Sequence, residues 1–190
     1  MSLTSVKSGR ARALEAALLV LRSEGIGGVT MRSVAEEAGM SAPALYWHYA
    51  DKEALLRDLR REVVAAYRDQ AHADSANQSA IQKLKAALEA YRSFAVSEPH
   101  YHDLLFLPVA SEPGARHTDG MLHFLIERVG DCMRHRELHV GDPASVALTI
   151  AAHVHGLVVL YRRRRFESEN QFREFYELSI ERLLRGIAPG

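Results

Sequence analysis

Apolar side chains recur at helical spacing along nearly the whole chain, and no alternating strand pattern persists. Ala11, Leu14, Leu18 and Leu21 mark a first stripe, which Gly25 closes as a left-handed cap. Thr30 caps a second helix with Val34, Ala35 and Ala38 inward. Gly39 permits a sharp turn, and Ser41 with Pro43 opens a short third helix. Asp51 caps a fourth, carrying Leu56, Leu59, Val63 and Tyr67. Ile81, Leu84, Leu88, Tyr91 and Ala95 form the next stripe, and Pro99 begins a short segment with Tyr101, Leu104, Leu105 and Phe106. Leu122, Leu125, Val129 and Cys132 mark a further helix. Asp142-Pro143 opens a long one to about Arg164. Ser168 and Gln171 predict a capping box for the last, with Phe172, Tyr176, Ile180, Leu183 and Ile187 on one face. His72–Ser79 and Pro108–Thr118 are polar or rich in Pro and Gly, and predict loops. The pattern predicts an all-α fold of about nine helices.

The stretch from Val29 to Leu56 therefore reads as helix, tight turn at Gly39, and short second helix. That second helix carries Tyr46, Trp47, His48 and Tyr49 in succession. Adjacent helical residues point about 100° apart, so four in a row cannot all face one core. Leu45 and Tyr49, four apart, are the expected core pair, leaving polar and aromatic groups outward, as in helix-turn-helix units that enter the major groove. Charge agrees locally. Lys plus Arg and Asp plus Glu both total 24, so the body is neutral. Residues 1–35 nevertheless hold Lys7, Arg10, Arg12, Arg22 and Arg32 against Glu15 and Glu24. One basic end on a neutral body suits a protein that grips phosphates with that end.

On Val-Thr-x-Arg at 29–32, Gly39, Pro43-x-Leu45-Tyr46-Trp47-His48, and Lys52 followed by Ala54-Leu55-Leu56, the chain resembles the tetracycline-repressor (TetR) family of bacterial regulators. The resemblance covers about residues 10–60. It implies a helix-turn-helix DNA-binding domain over 1–54 and an effector-binding and dimerisation domain over 55–190. It also implies that Thr30 and Arg32 touch phosphate or a base edge, and that Lys52 holds a phosphate. Ala42, Pro43, Ala44, Tyr46, Trp47 and His48 would lie in the groove. One departure matters: Ala42 and Ala44 stand where polar side chains read bases in the repressor that names the family. Methyl groups pack against thymine methyls or leave room, so operator sequence is not inherited. The expected function is a ligand-responsive repressor that binds a palindromic double-stranded operator as a homodimer and is released by a small, mostly apolar effector.

For the effector pocket, Tyr91, Phe94, Leu104, Phe106 and Phe124 are the expected apolar lining, with His123, His153 and His155 as polar contacts. For the dimer interface, Ala151, Ala152 and Gly156 permit close helix approach, and Phe172, Phe175, Tyr176, Leu183 and Leu184 add apolar area from the last helix. Arg162–Arg165 reads as cations at a helix C-terminus.

Hydrophobic residues at 47% and charged residues at 25% are ordinary globular values. No apolar run approaches the roughly 18 residues of a membrane span, no secretory segment follows the start, and cytoplasm is the expected compartment. The single cysteine, Cys132, excludes an internal disulfide and a cysteine-based zinc cluster. The histidine pairs His100/His102 and His153/His155 lack the ligand spacing of a metal site. No nucleophile constellation, phosphate-cradling glycine loop or apolar carboxylate pair stands out, so neither an enzyme nor a cofactor is expected. The weaker alternatives are a regulator without ligand and a histidine-metal enzyme.

Overall fold

A computed structural model describes residues 8–72, 78–106 and 120–188, and among these residues there are nine α-helices and no strand. Packing divides them into two compact units. The first holds the described residues of Met1–Val63 and Glu98–Ala110, the second those of Val64–Ser97 and Ser111–Gly190. Residue 54, where the sequence places the domain boundary, lies near the start of α4, a helix of Lys52–His72 whose residues contribute to both units.

The first unit contains α1 (Gly9–Gly28), α2 (Met31–Glu37), α3 (Ala42–Tyr46), the start of α4, and α6 (Pro99–Leu105). α1 packs on α2 and α6 through Ala13, Ala16, Ala17, Val20 and Leu21. This is not the predicted stripe: Ala11 is exposed, and Leu14 and Leu18 are half-buried. The alanines allow closer helix approach than leucines would, so the small-residue face is the one turned inward. Gly25 does take a left-handed φ of 70°, but it kinks α1 rather than ending it. A Cβ there would lie 2.9 Å from His100 Nδ1 on α6, so glycine serves both conformation and space.

The second unit contains the rest of α4, α5 (Ala80–Ser97), α7 (Gly120–Arg134), α8 (Pro143–Arg162) and α9 (Glu169–Gly186). Its core is aromatic. Tyr67 meets Phe124 edge-on at 5.9 Å and Phe94 at 6.3 Å, and Tyr161 stacks on Phe172 at 4.4 Å. The buried phenols are satisfied by carbonyls: Tyr67 donates to Ala87 O at 2.9 Å and Tyr176 to Leu88 O at 2.7 Å. Cys132 is buried here, and desolvation pushes its thiol up to about 12, which keeps it un-ionised and inert at neutral pH.

Several predicted ends differ in an instructive way. α8 stops at Arg162 because Arg164 takes a left-handed φ of 54°, with Arg165 N–H bonded to Leu160 O and Arg164 N–H to Tyr161 O. That is a Schellman closure on arginine instead of glycine. Arg136 closes α7 in the same way at φ 58°. At α9 the predicted box is half made: Ser168 Oγ accepts from Gln171 N–H, but Gln171 Oε1 accepts from Glu167 N–H. The full capping box belongs to α2, between Thr30 and Ser33. The expectation about apolar runs also needs correction, since α8 is by length and composition apolar enough to cross a membrane. Its buried side, Ala147, Ile150, Val154, Leu157 and Val158, packs in the second unit, and further apolar residues lie on the opposite side. The predicted loop at Pro108–Thr118 and most of that at His72–Ser79 lie outside the described residues.

Candidate nucleic-acid interface

Local chemistry builds the α2–α3 unit. Thr30 Oγ1 accepts from Ser33 N–H at 3.0 Å, Ser33 Oγ accepts from Thr30 N–H at 3.0 Å, and Ser33 Oγ donates to Gly28 O at 2.7 Å. Val34 and Ala35 are buried. Gly39, at φ 61°, ends α2, with Met40 N–H bonded to Ala35 O and Gly39 N–H to Glu36 O. Ser41 Oγ then accepts from Ala44 N–H at 3.3 Å to start α3. Leu45 and Tyr49 are fully buried, as their four-residue spacing requires. Two of the three intervening residues turn outward: Tyr46 is 52% exposed and Trp47 89%. Ala42 and Pro43 are exposed, and Ala44 is half-buried.

Two cationic groups lie on the neighbouring helices. Arg32 is exposed on α2, its Nε 2.9 Å from Glu36 Oε1, and that pairing raises its affinity for the proton. Lys52, half-buried, is the first residue of α4, whose N-terminus is capped by Asp51 Oδ1 accepting from Ala54 N–H at 2.7 Å. His48, also implied for the groove, is half-buried. Its ring lies against the first turn of α1, so that a Cβ at Gly9 would collide with Nε2.

Sequence reasoning missed the frame behind this surface. Asp58, on α4, accepts from Arg10 Nη2 at 2.6 Å, Arg61 Nη1 at 2.8 Å and Tyr49 Oη at 3.2 Å. Arg10 also lies over the Tyr49 ring at 5.1 Å. Burial alone would raise the Asp58 carboxyl, but the bonds from Arg10 and Tyr49 and the two guanidinium charges outweigh it and hold it below the usual value. Arg12 Nη2 bonds Ala38 O at 2.7 Å, holding the end of α2. Arg10 and Asp58 are 48 residues apart, and no local pattern links them.

The other expected site residues are divided between the two units. Tyr91 Oη is 3.1 Å from His155 Nδ1, and His153 Nε2 is 2.8 Å from Ser179 Oγ. Desolvation, aided by the Arg162 charge, lowers the His155 pKa. Phe94 and Phe124 are core residues around Tyr67, and Arg68 and Arg128 lie over the Phe124 ring at 5.1 and 5.3 Å. His123 is exposed, 3.5 Å from Glu127. Leu104 and Phe106 belong to the first unit. A surface groove of about 250 Å³, lined by Lys85, Leu88, Glu89, Tyr176, Ile180 and Glu181 among others, includes none of the expected ligand residues. Of the expected interface residues, Phe172, Tyr176 and Leu184 are used in the second unit's own core. Ala152, Gly156 and Phe175 are exposed, and Ala151 and Leu183 are half-buried. Among the described residues no three His, Cys, Asp or Glu side chains converge as metal ligands would.

Comparison with known proteins gives this arrangement a lineage. The profile of bacterial regulatory proteins of the tetR family matches residues 13–59, and that of the tetracyclin repressor-like C-terminal domain matches residues 84–183. The class A tetracycline repressor from transposon 1721 of Escherichia coli is 30% identical over 149 residues, covering 77% of this chain and 63% of that protein. This chain thus spans less than two thirds of that relative's length. A protein of unknown function from Rhodococcus sp. RHA1 superposes with a TM-score of 0.79 over 100% of both chains at 22% identity. A tetracycline-repressor variant from Acinetobacter baumannii AYE, solved with minocycline, gives 0.67 over 96% of both at 20% identity, which speaks for the fold. With both family profiles matched in order, and the capped α2–α3 unit intact, the chain belongs to the TetR family of transcriptional regulators.

Proposed function

We propose that this protein is a ligand-responsive repressor that binds a palindromic operator as a homodimer and leaves it when a small, mostly apolar effector binds. The observation that carries the reading is the outward surface at α3, with Trp47 89% exposed, in the same compact unit as Arg32 and Lys52. Side chains this apolar are seldom left so exposed without a partner. α3 enters the major groove, Lys52 and Arg32 pair with phosphates, and the Tyr46 hydroxyl bonds a phosphate oxygen or a base edge. Asp58 keeps this surface in shape by tying α1, Tyr49 and α4 together.

The second unit supplies the partner surface and the effector site. Along α8, Leu148, Ala152, Gly156 and Leu160 form an exposed row at four-residue spacing, and α9 adds exposed Phe175 and Leu178. Two such helices from each copy make a four-helix contact, and two-fold pairing sets two α3 helices on successive turns of one DNA face. The effector reading rests on the aromatic core around Phe94 and Phe124, with the Tyr91–His155 pair as its polar anchor. An effector releases the operator to the extent that it favours the conformation that cannot bind DNA.

The test is a salt titration of the full chain against random and promoter-derived duplex, followed by fluorescence anisotropy. Tight, sequence-selective binding with a steep negative salt slope is the expected result. Binding that ignores sequence and salt overturns the reading.

A further inference from the structure

The surface of α3 is unusual for a DNA reader in what it lacks. A guanine or adenine is identified in the major groove by a paired contact to N7 and its neighbour, which takes Arg, Lys, Asn or Gln, and a cytosine offers an amino donor that takes an acceptor. The side chains turned outward on α3 are Ala42, Pro43 and Tyr46, followed by Trp47, with Ala44 half-buried among them. None is of those types. Nothing on α3 fills the gap, although Arg32, exposed on α2, stays available for a phosphate or a guanine edge. The Thr30 and Ser33 hydroxyls bond each other's backbone, and Arg12 is bonded to Ala38 O. His48 lies against α1, and Arg32 sits on α2 beside Glu36. The Ser41 hydroxyl accepts from Ala44 N–H, and its single remaining proton, like the Tyr46 hydroxyl, does not tell one acceptor from another. The base feature left for carbon surfaces to recognise is the C5 methyl of thymine.

Resting on the DNA-binding reading, we propose that α3 reads its half-site through thymine methyl groups, packed against Ala42, Pro43 and Ala44 with Trp47 covering the adjacent sugar and methyl. The half-site under α3 is accordingly thymine-rich, and its selectivity is steric and apolar instead of hydrogen-bonded. A guanine under α3 meets no matching group there.

The experiment selects duplexes from a random pool with the full chain, then replaces each thymine of the winning half-site by uracil, which removes one methyl and keeps every hydrogen-bonding group. Affinity is expected to fall about fourfold per contacted methyl, the factor equivalent to one buried methyl group. Ala42→Gln, at an exposed position, is expected to blunt this sensitivity and bring in a preference for adenine. If uracil duplexes bind as tightly as thymine duplexes while sequence selection persists, the methyl proposal is overturned and the DNA reading stands. If the pool yields no preferred sequence, both fall.

Discussion

Exposed aromatic and aliphatic groups occur both on α3 and along α8 and α9, yet the two surfaces differ in everything around them. At α3, Tyr46 and Trp47 stand at the end of five helical residues whose start is tied down by the Ser41 side chain, with Arg32 and Lys52 on the neighbouring helices. On α8 the exposed Leu148, Ala152, Gly156 and Leu160 are aliphatic or small and run for several turns, with Phe175 and Leu178 exposed on α9. A short aromatic surface with cations nearby complements a phosphate-lined groove, whereas a long aliphatic row complements another row of the same kind. The amount of exposed apolar area is therefore less telling than its chemical setting.

The sharpest way to probe the contrast is to truncate one aromatic from each region. Phe172→Ala, in the α9 core, is expected to cost about 3–5 kcal/mol in denaturant unfolding. Trp47→Ala should stay within about 0.5 kcal/mol of the parent yet bind operator poorly. Equal losses from the two changes would erase the distinction. On the proposed partner surface, the double change Phe175→Glu and Leu178→Glu is expected to yield a folded monomer by sedimentation, through loss of about 2 kcal/mol or more of association energy. A dimer that survives both charges would move the interface elsewhere.

Within the frame behind α3, Asp58→Asn is expected to cost about 1–3 kcal/mol, because it weakens three donors' shared acceptor. The carboxyl is held below its ordinary 3.8, so its contribution is complete above that value and fades as pH falls through the lower folded value. Denaturation of parent and variant across that acid range should therefore converge. His155 has a consequence of the same sign for its own region, at higher pH. Its folded pKa lies below 6.5, so the unfolded chain takes up the proton first, and stability declines as pH drops below about 6.5. His155→Phe should flatten that slope in melting curves between neutral and mildly acid pH. Least in size, Arg164→Gly relieves a left-handed arginine and is expected to raise stability by about 1 kcal/mol or less, since glycine's greater unfolded freedom offsets part of the gain.

What could be read directly from residue order was whatever depends on near neighbours. The caps at Thr30, Ser41, Asp51 and Asp142, the left-handed glycines 25 and 39, and the Leu45–Tyr49 pair all involve groups within a few positions of one another. Exposure of Tyr46 and Trp47 followed from helical geometry alone. The same reasoning misjudged which face of α1 turns inward, because that choice depends on α2 and α6 approaching close to alanine.

It did set Phe172 and Tyr176 on one face of α9 without Phe175, and the structure buries the first two and leaves Phe175 exposed. It did not see which residues of the expected dimer interface the core would claim: Phe172, Tyr176 and Leu184 are used inside the second unit. Residue order thus determined the all-α fold, the family and the outward surface of α3, since these rest on periodicity, caps and a contiguous motif. Tertiary structure decided the Asp58 frame, the contact of His48 with α1 and the use of Phe172 and Tyr176 in the second unit's own core. Each of those depends on groups tens of residues apart meeting in space, and local propensity carries no record of such meetings.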